Sequence, residues 1–409
     1  MGCRNSKERG VEPSFDIVRH NSGKLYALNS PSVTSKESLD SDSDNNNLPT
    51  TSAGGESSSS NRRQNIGCLE LFSGSIAASV KDQDRFITVP ELLPNVFFTG
   101  VFDGHGQSGA LFAERAAKLF ARLLHSKISW MQDIAQSKET KNTEDLEKLR
   151  VKALKDLSSV FSDIQKIFTA EYERDVKAPL EKARKAMEKS EGISLPLSLP
   201  MIGGTTATII LVAGDLLFVA WVGDSRAVVG CVVESETGSM DDVIESVNLT
   251  VDHNVEANES ERNRAIGAGG AVAGRYIAVD GAEGMLQVTR SLGDVPHHTN
   301  NIVSSVPEVR VLKLSPSKNP FVVLASDGIW HHRSSTQVIK ELYTNLTEVV
   351  RKNESERSNE TAGMTDEQLL GTCQDYELKL IEWVKQNSAQ NDDIVMSVFT
   401  VRGYPWSKK

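Results

Sequence analysis

The sequence predicts an α+β fold, in which clusters of strands stand apart from helices instead of alternating with them. Two observations carry this. Short, β-rich apolar runs are joined by turns too tight for a crossover helix, as at residues 205–212 and 216–222 around Ala213-Gly214-Asp215. Helical patterns gather between the strand clusters and not between single strands.

In chain order, residues 1–64 read as a Ser-rich tail: Ser41-Asp42-Ser43-Asp44-Asn45-Asn46-Asn47 and the four serines after Glu56 offer too little apolar surface to offset the entropy of ordering. A domain-sized region spans 65–403, and 404–409 form a short C-terminal tail. Within the large region, residues 95–102 make a β-prone apolar run that stops at Asp103-Gly104-His105-Gly106. Residues 110–125 have helical spacing, with Phe112, Ala116, Leu119 and Leu123 as the core face. Residues 146–189 are charged and periodic and predict two long helices, with Leu154, Leu157, Phe161, Ile164 and Phe168 inward; no function attaches to this run. After the 205–222 pair, Gly223-Asp224-Ser225 leads into a further strand at 227–233, expected as the next antiparallel neighbour. Later strands are expected at 320–326 and 394–401, and helices at 335–351 and 366–386. No internal repeat is present.

Length and composition narrow the function. The chain has 409 residues, 39% of them hydrophobic, and a net charge of −10. That balance argues against nucleic-acid binding, which needs a basic surface, and suits carboxylates gathered around divalent cations. No apolar run reaches the ~20 residues that span a bilayer. Cys3, Cys68, Cys231 and Cys373 are too scattered for a disulfide framework or a zinc spacing, which points to a reducing, intracellular setting. Gly2 with Ser6 is an N-myristoylation pattern, and Cys3 beside it is a palmitoylation candidate. One acyl chain binds membranes only marginally, so the second chain or Lys7 and Arg9 would be needed. The expected location is a cytosolic membrane face.

Four places share one feature: a strand that stops or starts at an aspartate. They are Phe102-Asp103-Gly104, Val222-Gly223-Asp224-Ser225, Ala325-Ser326-Asp327-Gly328 and Asn391-Asp392-Asp393 before Ile394. A rigid strand end aims a carboxylate at a fixed spot. Several carboxylates converge only where cations neutralise them, and hard oxygen donors without a His/Cys set favour Mg²⁺ or Mn²⁺ over zinc.

Val101-Phe102-Asp103-Gly104-His105-Gly106, Gly203-Gly204-Thr205-Thr206-Ala207, Val222-Gly223-Asp224-Ser225-Arg226-Ala227, Thr289-Arg290-Ser291-Leu292-Gly293-Asp294 and Leu324-Ala325-Ser326-Asp327-Gly328-Ile329-Trp330 occur in the order seen in type-2C, metal-dependent Ser/Thr protein phosphatases. Val251-Asp252-His253-Asn254, Glu261-Arg262 and Gly269-Gly270 resemble that family's middle segment. The resemblance covers residues 73–401. It implies a four-layer α-β-β-α sandwich with two antiparallel sheets and a metal site at one end. It further implies two Mg²⁺ or Mn²⁺ ions and a weaker third: Asp103 bridging, the Gly104 carbonyl on one ion, Asp327 and Asp392 on the other, Asp84 holding metal-bound water and Asp224 the third position. His105 is the implied general acid.

The implied activity is hydrolysis of phosphoserine and phosphothreonine in proteins by a monomer, through water activated between two ions and without a covalent intermediate. No P-loop is present. Three departures matter. The stretch Ala77-Ala78-Ser79-Val80 lacks the family's phosphate-gripping arginine, leaving Lys81 and Arg85 as candidates. Gln83 stands where many members have glutamate, and His331-His332 follow Trp330 in place of aspartate. The alternative is a catalytically inactive, phosphatase-like scaffold. The acidic stretch 235–247 is a candidate for partner selection.

Overall fold

The computed structural model describes residues 81–137, 143–188, 202–233, 243–314, 320–355 and 392–401, the strands Ser14–Ile17, Tyr26–Ala27, Gln64–Ile66 and Leu69–Ser79, and the single positions Trp383 and Gln386. The acylation site Gly2-Cys3, most of the expected tail, the helix expected at 366–386 apart from those two positions, and residues 404–409 lie outside the described residues, as do 234–242 of the acidic stretch.

Numbered along the chain, the first four strands are β1–β4, in the order just given. They are followed by β5 (Arg85–Leu93), β6 (Val96–Phe102) and the two-residue β7 (Gly104–His105). Helices α1 (Gly109–Lys127), α2 (Met131–Gln136), α3 (Thr143–Tyr172) and α4 (Ala178–Glu188) come next, with a π-helical turn at Glu173–Lys177 between the last two. Then come β8 (Gly204–Thr205), β9 (Ala207–Ala213), β10 (Leu216–Val222), β11 (Arg226–Val233) and β12 (Val243–Asn248). A smaller lobe holds α5 (Glu259–Gly267), β13 (Ala271–Ala273), β14 (Tyr276–Ala278) and β15 (Met285–Leu286). It is followed by β16 (Leu292–Gly293) and a 3₁₀ segment at Val295–Asn301. The chain closes with β17 (Glu308–Lys313), β18 (Phe321–Ala325), α6 (Asp327–Trp330), α7 (Ser335–Ser355) and β19 (Ile394–Val401).

Two antiparallel sheets form the middle layers, one ordered β17-β10-β9-β6-β5-β2 and the other β1-β4-β19-β18-β11-β12. Their strands alternate between two apolar faces. In β10, Leu216, Phe218, Ala220 and Val222 face the helices α1–α4, while Leu217, Val219 and Trp221 face the other sheet. In β18, Val322 and Leu324 face inward, while Phe321, Val323 and Ala325 face α6 and α7. Burial on both faces explains why these strands are continuously apolar. The result is the expected α-β-β-α sandwich.

Two local expectations are corrected. β11 does not pair with β10; it joins β18 and β12 in the opposite sheet, and β10 takes β17 as its second neighbour. The Gly223 turn, at φ 94°, therefore carries the chain from one sheet to the other. Leu154 is 44% exposed, because Ala153 occupies the inward position on the stripe with Leu157, Val160, Phe161, Ile164 and Phe168. The break between the two long helices falls at Pro179. Proline has no N–H to offer the Asp175 carbonyl and crowds it, which suits the wider π turn just before it.

A candidate metal and phosphate cleft

A third, three-stranded sheet, β16-β8-β7, assembles the site from motifs that lie far apart in sequence. Gly104-His105 pairs with Gly204-Thr205, which pairs in turn with Leu292-Gly293. Close approach is the reason for the glycines. A Cβ on Gly203 would overlap the His105 carbonyl, and one on Gly204 would overlap the Asp294 carboxylate.

This junction brings His105 Nε2 to 2.6 Å from Asp294 Oδ2. Burial works against the imidazolium, but the Asp294 charge and hydrogen bond outweigh it and raise the His105 pKa. Burial would likewise raise Asp294, yet His105 and the Ser291 hydroxyl, which donates at 2.5 Å, hold it below the usual carboxylate range. Asp294 sits in a left-handed conformation, φ 41°. Gln165 on α3 secures the residue before it: its Nε2 donates to the Gly293 carbonyl at 2.9 Å and its Oε1 accepts the Gly293 N–H at 2.9 Å.

Asp103, His105, Asp224, Asp294 and Asp327 line one cleft of about 530 Å³. Asp103 leaves the end of β6 and is anchored through its backbone: its N–H donates to Thr206 Oγ1 at 3.1 Å and its carbonyl accepts the Thr206 N–H at 2.9 Å. Asp327 opens α6 directly after β18. Burial, followed by the charges of Asp84, Asp327, Asp224 and Asp392, pushes Asp103 well above the carboxylate range. Asp84 is pushed well up by burial and by Asp393, Asp327 and Asp392, against a hydrogen bond from Ser326. Burial and Asp327 raise Asp224 to about 7, and burial and Asp392 raise Asp327. Asp84, Asp103, Asp224, Asp327, Asp392 and Asp393 thus share one electrostatic field.

Among the described residues, no group of three or more His, Cys, Asp or Glu side chains forms a ready-made cation cage. A ring of spaced carboxylates suits an ion that keeps several waters, as Mg²⁺ does. Asp84 Oδ2 is buried without a hydrogen-bond partner, so it retains the capacity to accept from a cation's water.

Asp393 belongs to the quoted Asn391-Asp392-Asp393 motif, but only Asp392 was assigned a role there. Its buried carboxylate accepts the backbone N–H groups of Lys81 (2.6 Å), Asp82 (3.2 Å), Gln83 (2.6 Å) and Asp84 (3.4 Å), so it shapes the loop that carries Asp84. Gln83 completes the clamp by donating to the Gly106 carbonyl at 2.7 Å. Asp294 and Gln165 were also missed. Asp294 closes the quoted motif Thr289-Arg290-Ser291-Leu292-Gly293-Asp294, but no role was attached to it. Gln165 carries no such mark inside a charged helix.

The two phosphate candidates part company. Arg85 is buried, and its Nη1 donates to the Asp82 carbonyl (3.0 Å), Asp82 Oδ1 (3.1 Å) and the Asp84 carbonyl (2.8 Å), so this guanidinium is turned into its own loop. Lys81 is half-exposed at the rim, its Nζ 3.0 Å from Asp392 Oδ1. Burial opposes its charge, but Asp392, Asp393 and Asp103 raise its pKa. His331 is exposed at the C-terminus of α6, edge-on to His332 at 5.1 Å.

The described middle segment buttresses this cleft. Arg226 forms a two-pronged pair with Asp252, Nε–Oδ1 3.0 Å and Nη2–Oδ2 2.7 Å, which ties the Asp224 turn to the segment after β12. Asn254 Nδ2 reaches Asp224 Oδ2 at 3.5 Å. Glu261 accepts from Arg264, Arg290 and Thr289.

A family model described as Protein phosphatase 2C matches residues 81–362. Over 172 residues the chain is 35% identical to "Probable protein phosphatase 2C 3" of Oryza sativa subsp. japonica, covering 40% of this chain and 33% of that protein. Over 259 residues it is 32% identical to "Probable protein phosphatase 2C 73" of the same organism, covering 59% of this chain and 55% of that protein. The chain thus spans about a third to a half of the length of these relatives. Among solved structures, a serine-threonine phosphatase 2C from Toxoplasma gondii has the same fold, with a TM-score of 0.53 at 20% identity, covering 83% of this chain and 97% of that one.

Proposed function

The chain belongs to the protein phosphatase 2C family, and from that premise we propose that it hydrolyses phosphoserine and phosphothreonine esters of proteins with divalent metal ions. The observation that carries this reading is the His105–Asp294 pair in the same cleft as the Asp103, Asp224 and Asp327 carboxylates. The donor set fits the ions: it is all hard oxygen, crowded enough to raise its own pKa values, and it includes the unpartnered Asp84 Oδ2. Asp84, Asp103, Asp327, Asp392 and the Gly104 carbonyl would hold two Mg²⁺ or Mn²⁺ ions, with Asp224 on a weaker third. Bound there, such ions acidify water and neutralise phosphoryl charge.

The chain's own residues supply a proton and an orientation. A serine or threonine alkoxide is a poor leaving group, so a positioned acid speeds its departure by roughly 10²–10⁴-fold. Asp294 on Nε2 favours the imidazolium form of His105, whose Nδ1–H would then be the proton donor. Asp294 fixes the ring, and Gln165 and Ser291 fix the segment bearing Asp294. Lys81 at the rim draws in the phosphate dianion.

The second reading is a phosphatase-like scaffold, and one observation favours it: Arg85 is committed to its own loop, so it cannot replace the absent phosphate-gripping arginine. Phosphate release from a phosphothreonine peptide with Mg²⁺, Mn²⁺ or EDTA separates the two readings. Metal-dependent turnover that Asp103→Ala abolishes supports the enzyme; a folded chain silent with both metals supports the scaffold. We extend the proposal to acylation at Gly2 and Cys3 and a cytosolic membrane face, supported by the Gly2, Cys3 and Ser6 pattern alone. Failure of wild-type chain to incorporate labelled myristate, with Gly2→Ala as background, would remove it.

A further inference from the structure

We propose that the catalytic cleft continues into an apolar subsite that selects phosphoproteins with an aliphatic side chain within two residues of the phosphoserine or phosphothreonine. This rests on the phosphatase reading above and names its substrate class. The cleft that holds Asp103 and His105 is also lined by Tyr172, Val176 and Leu180 on one side and Met285 and Leu286 on the other. These walls belong to different apolar cores. Tyr172 and Leu180 pack only partly against the main core, which contains Val176, whereas Leu286 packs partly against the separate cluster of the β13–β15 lobe. Neither core fills the gap between them, and Met285 is 51% exposed at its edge.

The helix that supplies the first wall is built for this position. Residues 172, 176 and 180 are four apart, and in an uninterrupted α-helix each such step drifts by about 40°. The i→i+5 turn at Glu173–Lys177 takes up part of that drift, so that all three reach one cleft. The occupant follows from continuity. Whatever chain carries a phosphate to His105 and Asp103 must run through the same cleft, where these apolar side chains stand beside Tyr276, Glu283 and Gln287.

The test uses the full chain with Mg²⁺ and a set of phosphothreonine peptides in a Gly/Ser background, each with one leucine placed within two residues on either side. Affinity is read by fluorescence anisotropy and turnover by phosphate release. At least one leucine position is expected to improve both affinity and kcat/KM by roughly tenfold over the leucine-free peptide, as burial of one aliphatic side chain does. Leu180→Ser and Met285→Ser, checked for folding by thermal melt, are expected to bring that ratio to within about twofold of one. Turnover with no leucine preference above twofold, or a preference that survives in both variants, would overturn the subsite while leaving the phosphatase reading intact. Selective binding without turnover would uphold the subsite and sink the phosphatase reading.

Discussion

His105 Nε2 and Asp294 Oδ2 lie 2.6 Å apart across 189 residues of sequence, joined by the small β7-β8-β16 sheet. This pair couples a cleft-lining histidine to a buried aspartate beside the Asp103, Asp224 and Asp327 carboxylates.

Replacing Asp294 by Asn removes the charge that raises the His105 pKa and leaves burial to lower it. An acid must be protonated to act, so activity falls as pH rises through its pKa. The alkaline limb of the kcat/KM profile should therefore move to lower pH in Asp294→Asn, with kcat down by about 10²-fold at neutral pH. An unmoved limb would remove His105 as the acid.

Gly204→Ala reaches the same pair by steric means. Its Cβ would overlap the Asp294 carboxylate and drive it from His105, although residue 204 titrates nothing. We expect a kcat loss of the same order as in Asp294→Asn and a similar displacement of the pH limb. A variant with normal kcat would show that the pair is dispensable.

Asp393→Ala should release the loop that carries Asp84, because it strips the acceptor from the N–H groups of Lys81, Asp82 and Gln83. Unsatisfied buried donors cost about 1–3 kcal/mol each, and with water relieving the more exposed ones a total near 3 kcal/mol is expected in urea unfolding. The Mg²⁺ concentration for half-maximal phosphate release should rise as well. Asp393→Asn, which keeps one acceptor oxygen, should recover part of both effects.

Glu261 gives the fold a measurable dependence on acid. Burial would raise its pKa, but Arg290, Arg264 and Thr289 bring it down to about 2. A depressed folded pKa contributes stability that is present above the unfolded value near 4.5 and lost as pH falls toward 2. The contribution is about 3 kcal/mol at neutral pH. Urea unfolding of wild type and Glu261→Gln should differ by that order at pH 7, with the gap narrowing below pH 4.5 and closing only toward pH 2. A constant gap would mean that the carboxylate's charge is not what the arginines hold.

Much of this arrangement is legible along the chain. An apolar run ending at Asp103 or Asp327 reports a rigid strand and a polar terminus, because backbone propensity and burial on two faces are local properties. The motif order was enough to suggest the family and the sandwich. Long-range geometry decided the remainder. Whether the strand after Gly223 stays in its sheet or crosses to the other depends on which partner, β10 or β18, buries more of it, and the local pattern is the same in both cases. Arg85 looks like a free cation in sequence and is spent on Asp82 and Asp84 in space. Gln165 looks like one polar residue among many on a charged helix, yet it holds Gly293 next to Asp294. Periodicity tells which face of an element is apolar. Which distant backbone meets that face, and so which side chains share a proton, is set by the summed packing of both sheets, and no single segment encodes it.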